Sequence, residues 1–226
     1  MARHVVVTGA NRGIGLGLVR LLLSRGDSVT GTARDADAAG ELRATGARVL
    51  PLDVTSADSV AALSRALGDA SVDVLVNNAG VSAGWGGGVE ELPLDTCERL
   101  FRVNALGPLA VTRALLPHLR RGAGKTVMHV TSMMGSISDN TSGGSYAYRM
   151  SKAALNMASR SLAIDLRGER ISSFVVHPGW VKTDMGGPGA TVEVDECVAG
   201  LARLLDGDAL ARSGRFFHYL GHEAPF

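Results

Sequence analysis

The chain has 226 residues, 46% hydrophobic and 20% charged, the balance of an ordinary globular protein with one sizeable core. Its net charge of +1 gives no electrostatic case for nucleic acid or an anionic membrane surface. Cys97 and Cys197 are too few for a disulfide framework or a zinc site, no metal is expected, and no apolar run approaches the ~18 residues of a membrane span, so a soluble, cytoplasmic protein is expected.

Short β-rich runs occur at 4–8, 28–33, 48–52, 72–77, 126–131, 171–177 and 215–220. Helix-like segments lie between them, near 13–25, 36–45, 57–67, 95–120, 146–167 and 195–205. Nearly continuous apolar strands alternating with helices predict an α/β fold: a single domain over 1–226, with a doubly wound parallel sheet of about seven strands covered on both faces. Ligands of such sheets bind at the loops after strand C-termini. The first of those loops, Thr8-Gly9-Ala10-Asn11-Arg12-Gly13-Ile14-Gly15, follows a strand and opens a helix. Glycines there let the backbone approach a pyrophosphate, and the helix N-terminus supplies free N–H groups and a partial positive charge.

Farther along, Tyr148 and Lys152 stand four residues apart in a helix-favouring run, so they share one face. A fixed positive charge beside a phenol lowers its pKa from about 10, bringing proton exchange toward neutral pH. Tyr146 is six positions from Lys152, about 240° around the helix, and faces elsewhere.

Two motifs together carry a resemblance: Gly9-x-x-x-Gly13-x-Gly15 and Tyr148-x-x-x-Lys152. Asp53-Val54, Asn77-Asn78-Ala79-Gly80, Asn104, Ser132 and Pro178-Gly179-Trp180-Val181-Lys182-Thr183 fall in the matching order, and over essentially its whole length the chain resembles the short-chain dehydrogenase/reductase family. The stretches 131–136 and 143–149 look most like the group of sniffer-like carbonyl reductases and C-factor. The resemblance implies a Rossmann-type fold and a catalytic set in carbonyl reduction. Tyr148 is its general acid, Lys152 lowers the phenol's pKa, Ser132 orients the carbonyl, and Asn104 kinks its helix and serves the proton relay. It also implies coenzyme contacts from Gly9, Asn11, Arg12, Gly13, Ile14, Gly15, Asp53, Val54, Asn78, Ala79, Gly80, Tyr148, Lys152, Pro178, Gly179, Val181 and Thr183. Ser132 and Tyr148 are sixteen positions apart, somewhat more than in many relatives; the surplus lies in the polar loop 138–144. His129 and His177 read as structural.

NAD-preferring relatives carry a carboxylate where Ala33 ends the second strand here; Arg34 follows, and with Arg12 it favours a 2′-phosphate, hence NADP(H). The rim is expected from 81–93, 133–145 and 180–190, with Trp85, Met133, Met134, Trp180 and Met185 as its large apolar side chains, suiting a small-molecule carbonyl or alcohol. The segments 95–120 and 146–167 are apolar nearly all round, which predicts a homodimer or homotetramer built on them. The last strand and the tail to Phe226 either close the pocket or reach a partner subunit. The alternative to an enzyme is an NADP(H)-binding regulatory or signalling protein of the C-factor type with little turnover; the intact Tyr148–Lys152 pair weighs against it.

Overall fold

A computed structural model describes residues 2–83 and 86–226. One seven-stranded parallel sheet runs through it: β1 (His4–Val7), β2 (Ser28–Ala33), β3 (Arg48–Pro51), β4 (Val74–Asn77), β5 (Thr126–Val130), β6 (Ser172–His177) and β7 (Phe216–His218). Their spatial order is β3-β2-β1-β4-β5-β6-β7, with registers such as Val7↔Gly31, Val7↔Val76 and Val130↔Val176. The chain winds outward from β1 in one direction, then returns past it to β4 and winds out the other way. That reversal leaves a crevice at the carboxyl ends of β1 and β4.

The strands are β-branched because both faces are buried. Val5, Val7, Val74, Val76, Met128, Phe174 and Val176 pack toward α1 (Gly13–Ser24), α2 (Gly40–Ala44) and α7 (Val194–Asp206). Val6, Leu75 and Val127, one residue out of step, pack toward α3 (Ala57–Leu67), α5 (Gly107–Arg121) and the end of α6 (Tyr146–Asp165). Each fully buried side chain of this kind stabilises by roughly 1.5–3 kcal/mol relative to exposure.

Three expectations are corrected. The helix expected near 36–45 is only the five residues of α2, because the Asp35 carboxylate accepts from the N–H groups of Asp37 (3.0 Å) and Ala38 (2.9 Å) and holds a turn there. The single helix expected over 95–120 is α4 (Leu94–Phe101), a π turn at Arg102–Leu106, and then α5. The strand expected over 215–220 keeps three residues, and a short helix α8 (Ala209–Arg212), capped by Asp208, precedes it.

One polar thread crosses the second core layer beneath the crevice. The Asn77 amide donates to Thr112 Oγ1 (3.0 Å) and to His129 Nδ1 (3.2 Å). The imidazole must therefore carry its proton on Nε2, which donates to Ser173 Oγ (3.2 Å); Ser173 in turn meets Ser159 of α6 at 2.9 Å. This thread ties β4, β5 and β6 to α5 and α6. Burial holds His129 neutral, with a pKa near 3 against an ordinary 6.5.

Since the folded-state pKa is depressed, the unfolded chain takes up a proton between pH 6.5 and about 3 that the folded chain refuses. Stability should accordingly fall on acidification, by at most about 1.4 kcal/mol per pH unit from this group. Urea unfolding of wild type and His129→Gln between pH 5 and 7 checks this: the variant should show the shallower acid slope.

Candidate active site

The glycine turn sits at the carboxyl end of β1. Gly9 has φ +63°, and a Cβ on it would stand 2.8 Å from Ala79 Cα. A Cβ on Gly15 would stand 2.4 Å from Gly9 O and 2.6 Å from the Asn78 amide. Only glycine fits either place. Asn78 clamps the turn from β4's end: its amide donates to the carbonyls of Thr8 and Gly9, both at 2.9 Å. The Thr8 hydroxyl accepts from the N–H groups of Asn78 and Ala79, both at 3.0 Å. The side chain of Asn78 thus braces the turn. Helix α1 starts at this point with no side-chain cap and no acidic residue in its first turn, so its N-terminal N–H groups and dipole face the crevice.

A cavity of about 1330 Å³ extends from the turn. Gly9, Asn11, Arg12, Gly13 and Ile14 line it beside Arg34, Asp53, Val54, Asn78, Ala79 and Gly80, with Thr183 against Gly13 of the turn; Tyr148, Lys152, Pro178 and Met185 also line it. Arg34 is exposed after β2 and acts electrostatically on Asp53, whose carboxylate is held low mainly by the Thr55 hydroxyl and N–H at 2.7 and 2.9 Å. Arg12 does not reach toward Arg34; its guanidinium pairs with Asp184 in the loop after β6, at 2.8 Å.

Tyr148 and Lys152 emerge from the first turns of α6, both buried. Ser145, in the left-handed region at φ +48°, starts this helix, and its main chain and hydroxyl each bond Gly86 of the facing loop at 3.0 Å. The Lys152 ammonium lies 5.7 Å from the phenol ring centroid and donates to the Val130 carbonyl at 2.9 Å. Burial pushes the Tyr148 phenol up to about 12, partly offset by a side-chain hydrogen bond with Ser132; burial also lowers Lys152 to about 8. The lysine was expected to depress the phenol. In the coenzyme-free protein the phenol is instead raised, because desolvation penalises its charged form.

Ser132 ends β5 and accepts from Met134 N–H at 3.1 Å, opening a short 3₁₀ turn at Met133–Gly135. Asn104 is fully buried in the π turn. Its amide is paired both ways with the main chain of Val81, each bond 2.9 Å, and also donates to Ser151 Oγ at 3.0 Å. The expected kink is therefore present as a π turn, a form that leaves main-chain carbonyls without their helical donors.

The remaining site residues are placed as follows. Gly179 (φ +86°) and Val181 support the loop after β6: a Cβ at Gly179 would meet the Tyr219 ring at 2.9 Å, and Val181 bridges to Val192. Met134 packs beside Tyr148, while Met133 turns toward Val175, Phe216 and Ala224. Trp180 is 55% exposed, its indole N–H donating to Gly186 O at 2.9 Å. Trp85 lies outside the described residues. Sequence reasoning missed Asp95, Glu98, Arg99 and Arg102, which form a charged wall of the cavity. Their three- and four-residue spacing was the available signal. It also missed Asn156, which accepts from Thr131 Oγ1 (2.7 Å) and donates to Gly135 O (3.0 Å), fixing the end of β5. Among the described residues no His, Cys, Asp or Glu cluster could hold a metal, and no helix is long and apolar enough to cross a membrane.

Comparison with known proteins agrees with this geometry. Residues 3–191 match the short chain dehydrogenase family. The C-signal protein of Myxococcus xanthus is 56% identical over 155 residues, 69% of this chain and 93% of that protein. The NADPH-bound carbonyl reductase from chicken fatty liver is similar in structure with a TM-score of 0.92 at 33% identity, over 100% of this chain and 99% of that one. The carbonyl reductase sniffer of D. melanogaster gives 0.93 at 31% identity over the full length of both chains.

Removing the Asn104 side chain leaves the Val81 N–H and carbonyl and the Ser151 hydroxyl short of partners in a buried place. Asn104→Ala should cost about 2–4 kcal/mol in urea unfolding, with the loss confined to stability and the site around α6.

Proposed function

This chain belongs to the short-chain dehydrogenase family of oxidoreductases, and from that premise we propose that it is an NADP(H)-dependent carbonyl reductase, converting an aldehyde or ketone to an alcohol. The observation that carries the reading is the buried pair Tyr148 and Lys152, lining one cavity with the uncapped N-terminus of α1, and Ser132 hydrogen-bonded to the phenol. The residues present fit the coenzyme. Gly9 and Gly15 form a cradle that any Cβ would fill, the α1 N–H groups suit a pyrophosphate, and Arg34 after β2 suits a 2′-phosphate. Asp53 and Val54 suit an adenine, and Pro178, Gly179, Val181 and Thr183 a carboxamide. Arg12 joins the 2′-phosphate only by leaving Asp184.

When bound, the nicotinamide supplies the hydride. The protein supplies the proton and the geometry. Tyr148, kept protonated by burial until about pH 12, gives its proton to the carbonyl oxygen, which Ser132 holds beside it. The Lys152 ammonium compensates the phenolate that forms, and the π turn at Asn104 offers a carbonyl for the water that returns the proton. Met185, which lines the cavity, and Met134, packed beside Tyr148, suit an apolar substrate.

A second reading has one observation in its favour, the 56% identity to C-signal: an NADP(H)-binding regulatory protein with little turnover. The complete catalytic group argues for turnover. We also propose a homodimer or homotetramer through α4–α5 and α6, where Phe101, Leu106, Leu109, Tyr146, Met150, Met157 and Ile164 are exposed.

Tyr148→Phe should lower kcat with an aromatic aldehyde by about 10²–10⁴-fold while leaving the NADPH Kd unchanged. Absence of turnover by wild type over a panel of aldehydes, quinones and ketones would establish the regulatory reading instead. Reduction by wild type should decline as pH rises through about 8, where Lys152 loses its proton. Arg34→Ala should raise the KM for NADPH by roughly tenfold or more and leave that for NADH nearly unchanged. Light scattering at micromolar concentration tests the assembly; a monomer refutes it.

A further inference from the structure

After β7 the chain turns at Gly221 and folds back along the sheet edge. His218 N–H donates to His222 O (2.9 Å), Phe217 pairs antiparallel with Glu223, and Ala224 N–H donates to Phe216 O (2.8 Å). This segment covers the open edge of β7 and then continues past it. Ala224 is buried in a cluster with Val175, Phe216 and Met133. The Phe226 ring lies on Phe216, centroids 5.8 Å apart. The main-chain oxygen of Phe226 accepts two hydrogen bonds from Ser138, one from its N–H (3.1 Å) and one from its hydroxyl.

Both points of contact fall on one loop. Met133 directly follows Ser132, and Ser138 closes the same stretch before the polar rim. From the α6 side that loop is held by Asn156 at Gly135. Between Ser136 and Gly143 its other bonds are local (Asp139 N–H to Ser136 Oγ, Asn140 N–H to Ile137 O, Gly143 N–H to the Asn140 side chain), apart from a second tie to α6, the Arg149 guanidinium donating to Ser142 Oγ at 2.8 Å. The residue that orients the carbonyl is thus positioned between helix α6 on one side and the 221–226 segment on the other.

We propose that residues 221–226 are a positioning and specificity element for the active site: Ala224 and Phe226, acting through Met133 and Ser138, set the Ser132–Ser138 loop and decide which carbonyl compounds it accepts. The inference rests on the carbonyl-reductase reading. A loop shift of this kind acts on substrate placement beside Tyr148 and leaves the coenzyme turn untouched.

The test uses the full chain with NADPH and three variants, Phe226→Ala, Ser138→Ala and Ser138→Thr. Benzaldehyde and the bulkier 9,10-phenanthrenequinone are the substrates, NADPH fluorescence gives coenzyme binding, and hydrogen exchange follows the amides of 133–138. Phe226→Ala should lower kcat/KM by about tenfold, change the ratio between the two substrates, and leave the NADPH Kd within about twofold. The 133–138 amides should exchange about tenfold faster or more. Ser138→Ala should give the same pattern more weakly, and Ser138→Thr, which keeps the hydroxyl, should restore it. An unchanged substrate ratio, or equal losses in coenzyme and substrate binding, overturns the proposal. If wild type turns over no carbonyl, the enzymatic reading fails separately, and the exchange data still decide: unaltered 133–138 amides overturn the positioning role. Should Phe226→Ala fail to fold, Ser138→Ala, a single hydroxyl removed from an exposed loop, carries the same comparison.

Discussion

An ammonium buried under the carboxyl end of a parallel sheet is the constraint on which the site depends. The Lys152 ammonium donates to the Val130 carbonyl at 2.9 Å, where β5 ends. A buried charge is tolerated only when its surroundings are fixed and polar. The protein meets this with Asn104, whose amide grips Val81 and Ser151, and Asn156, which grips Thr131 and Gly135. Both asparagines use side-chain hydrogen bonds to hold main chain that has just left a regular element. The π turn follows from the same demand: it places Asn104 inward at a point where an ordinary helical turn would present a different residue.

This arrangement also explains the opposite pKa displacements of Tyr148 and Lys152. Burial raises the phenol toward 12 and lowers the amine toward 8, so each is driven to its neutral form. At neutral pH the phenol keeps its proton and the amine is still mostly charged. The site is therefore loaded as a proton donor, with its compensating charge in place. Behind it, the Asn77–His129–Ser173–Ser159 thread supplies stiffness without a further charge, because its imidazole stays neutral over the whole working range.

Much of this was legible in the residues because parallel strands announce themselves. Val5-Val6-Val7 and Phe174-Val175-Val176 admit few other roles, and the glycines at 9, 13 and 15 fall where a strand hands over to a helix. The Tyr148–Lys152 spacing is legible for the same reason: helical periodicity is a local property. What stayed hidden is set by tertiary partners. No local pattern says that a π turn interrupts 95–120, where Asn104 bonds the main chain of Val81, more than twenty residues upstream. Nor does any show that Arg12 pairs with Asp184, 172 positions away, or that Met133 faces the sheet edge rather than the substrate. The lowered phenol pKa follows from spacing and from the resemblance; burial, which raises it, is invisible until the fold is known.

The three rim segments differ in how firmly they are held, and the difference follows from where their partners come from. The 81–93 segment is bonded at Val81 by a buried amide and at Gly86 by Ser145. The 133–145 loop rests on apolar contacts at Met133 and on paired bonds from Ser138 to Phe226. The loop after β6 is tied to the glycine turn by Arg12–Asp184, whose side chains are 68% and 77% exposed. An ion pair that open contributes about 0–1 kcal/mol, and a phosphate competing for the same guanidinium can displace it at little cost. The exposed tie lies at the glycine turn, and the buried ones lie around Tyr148 and Lys152.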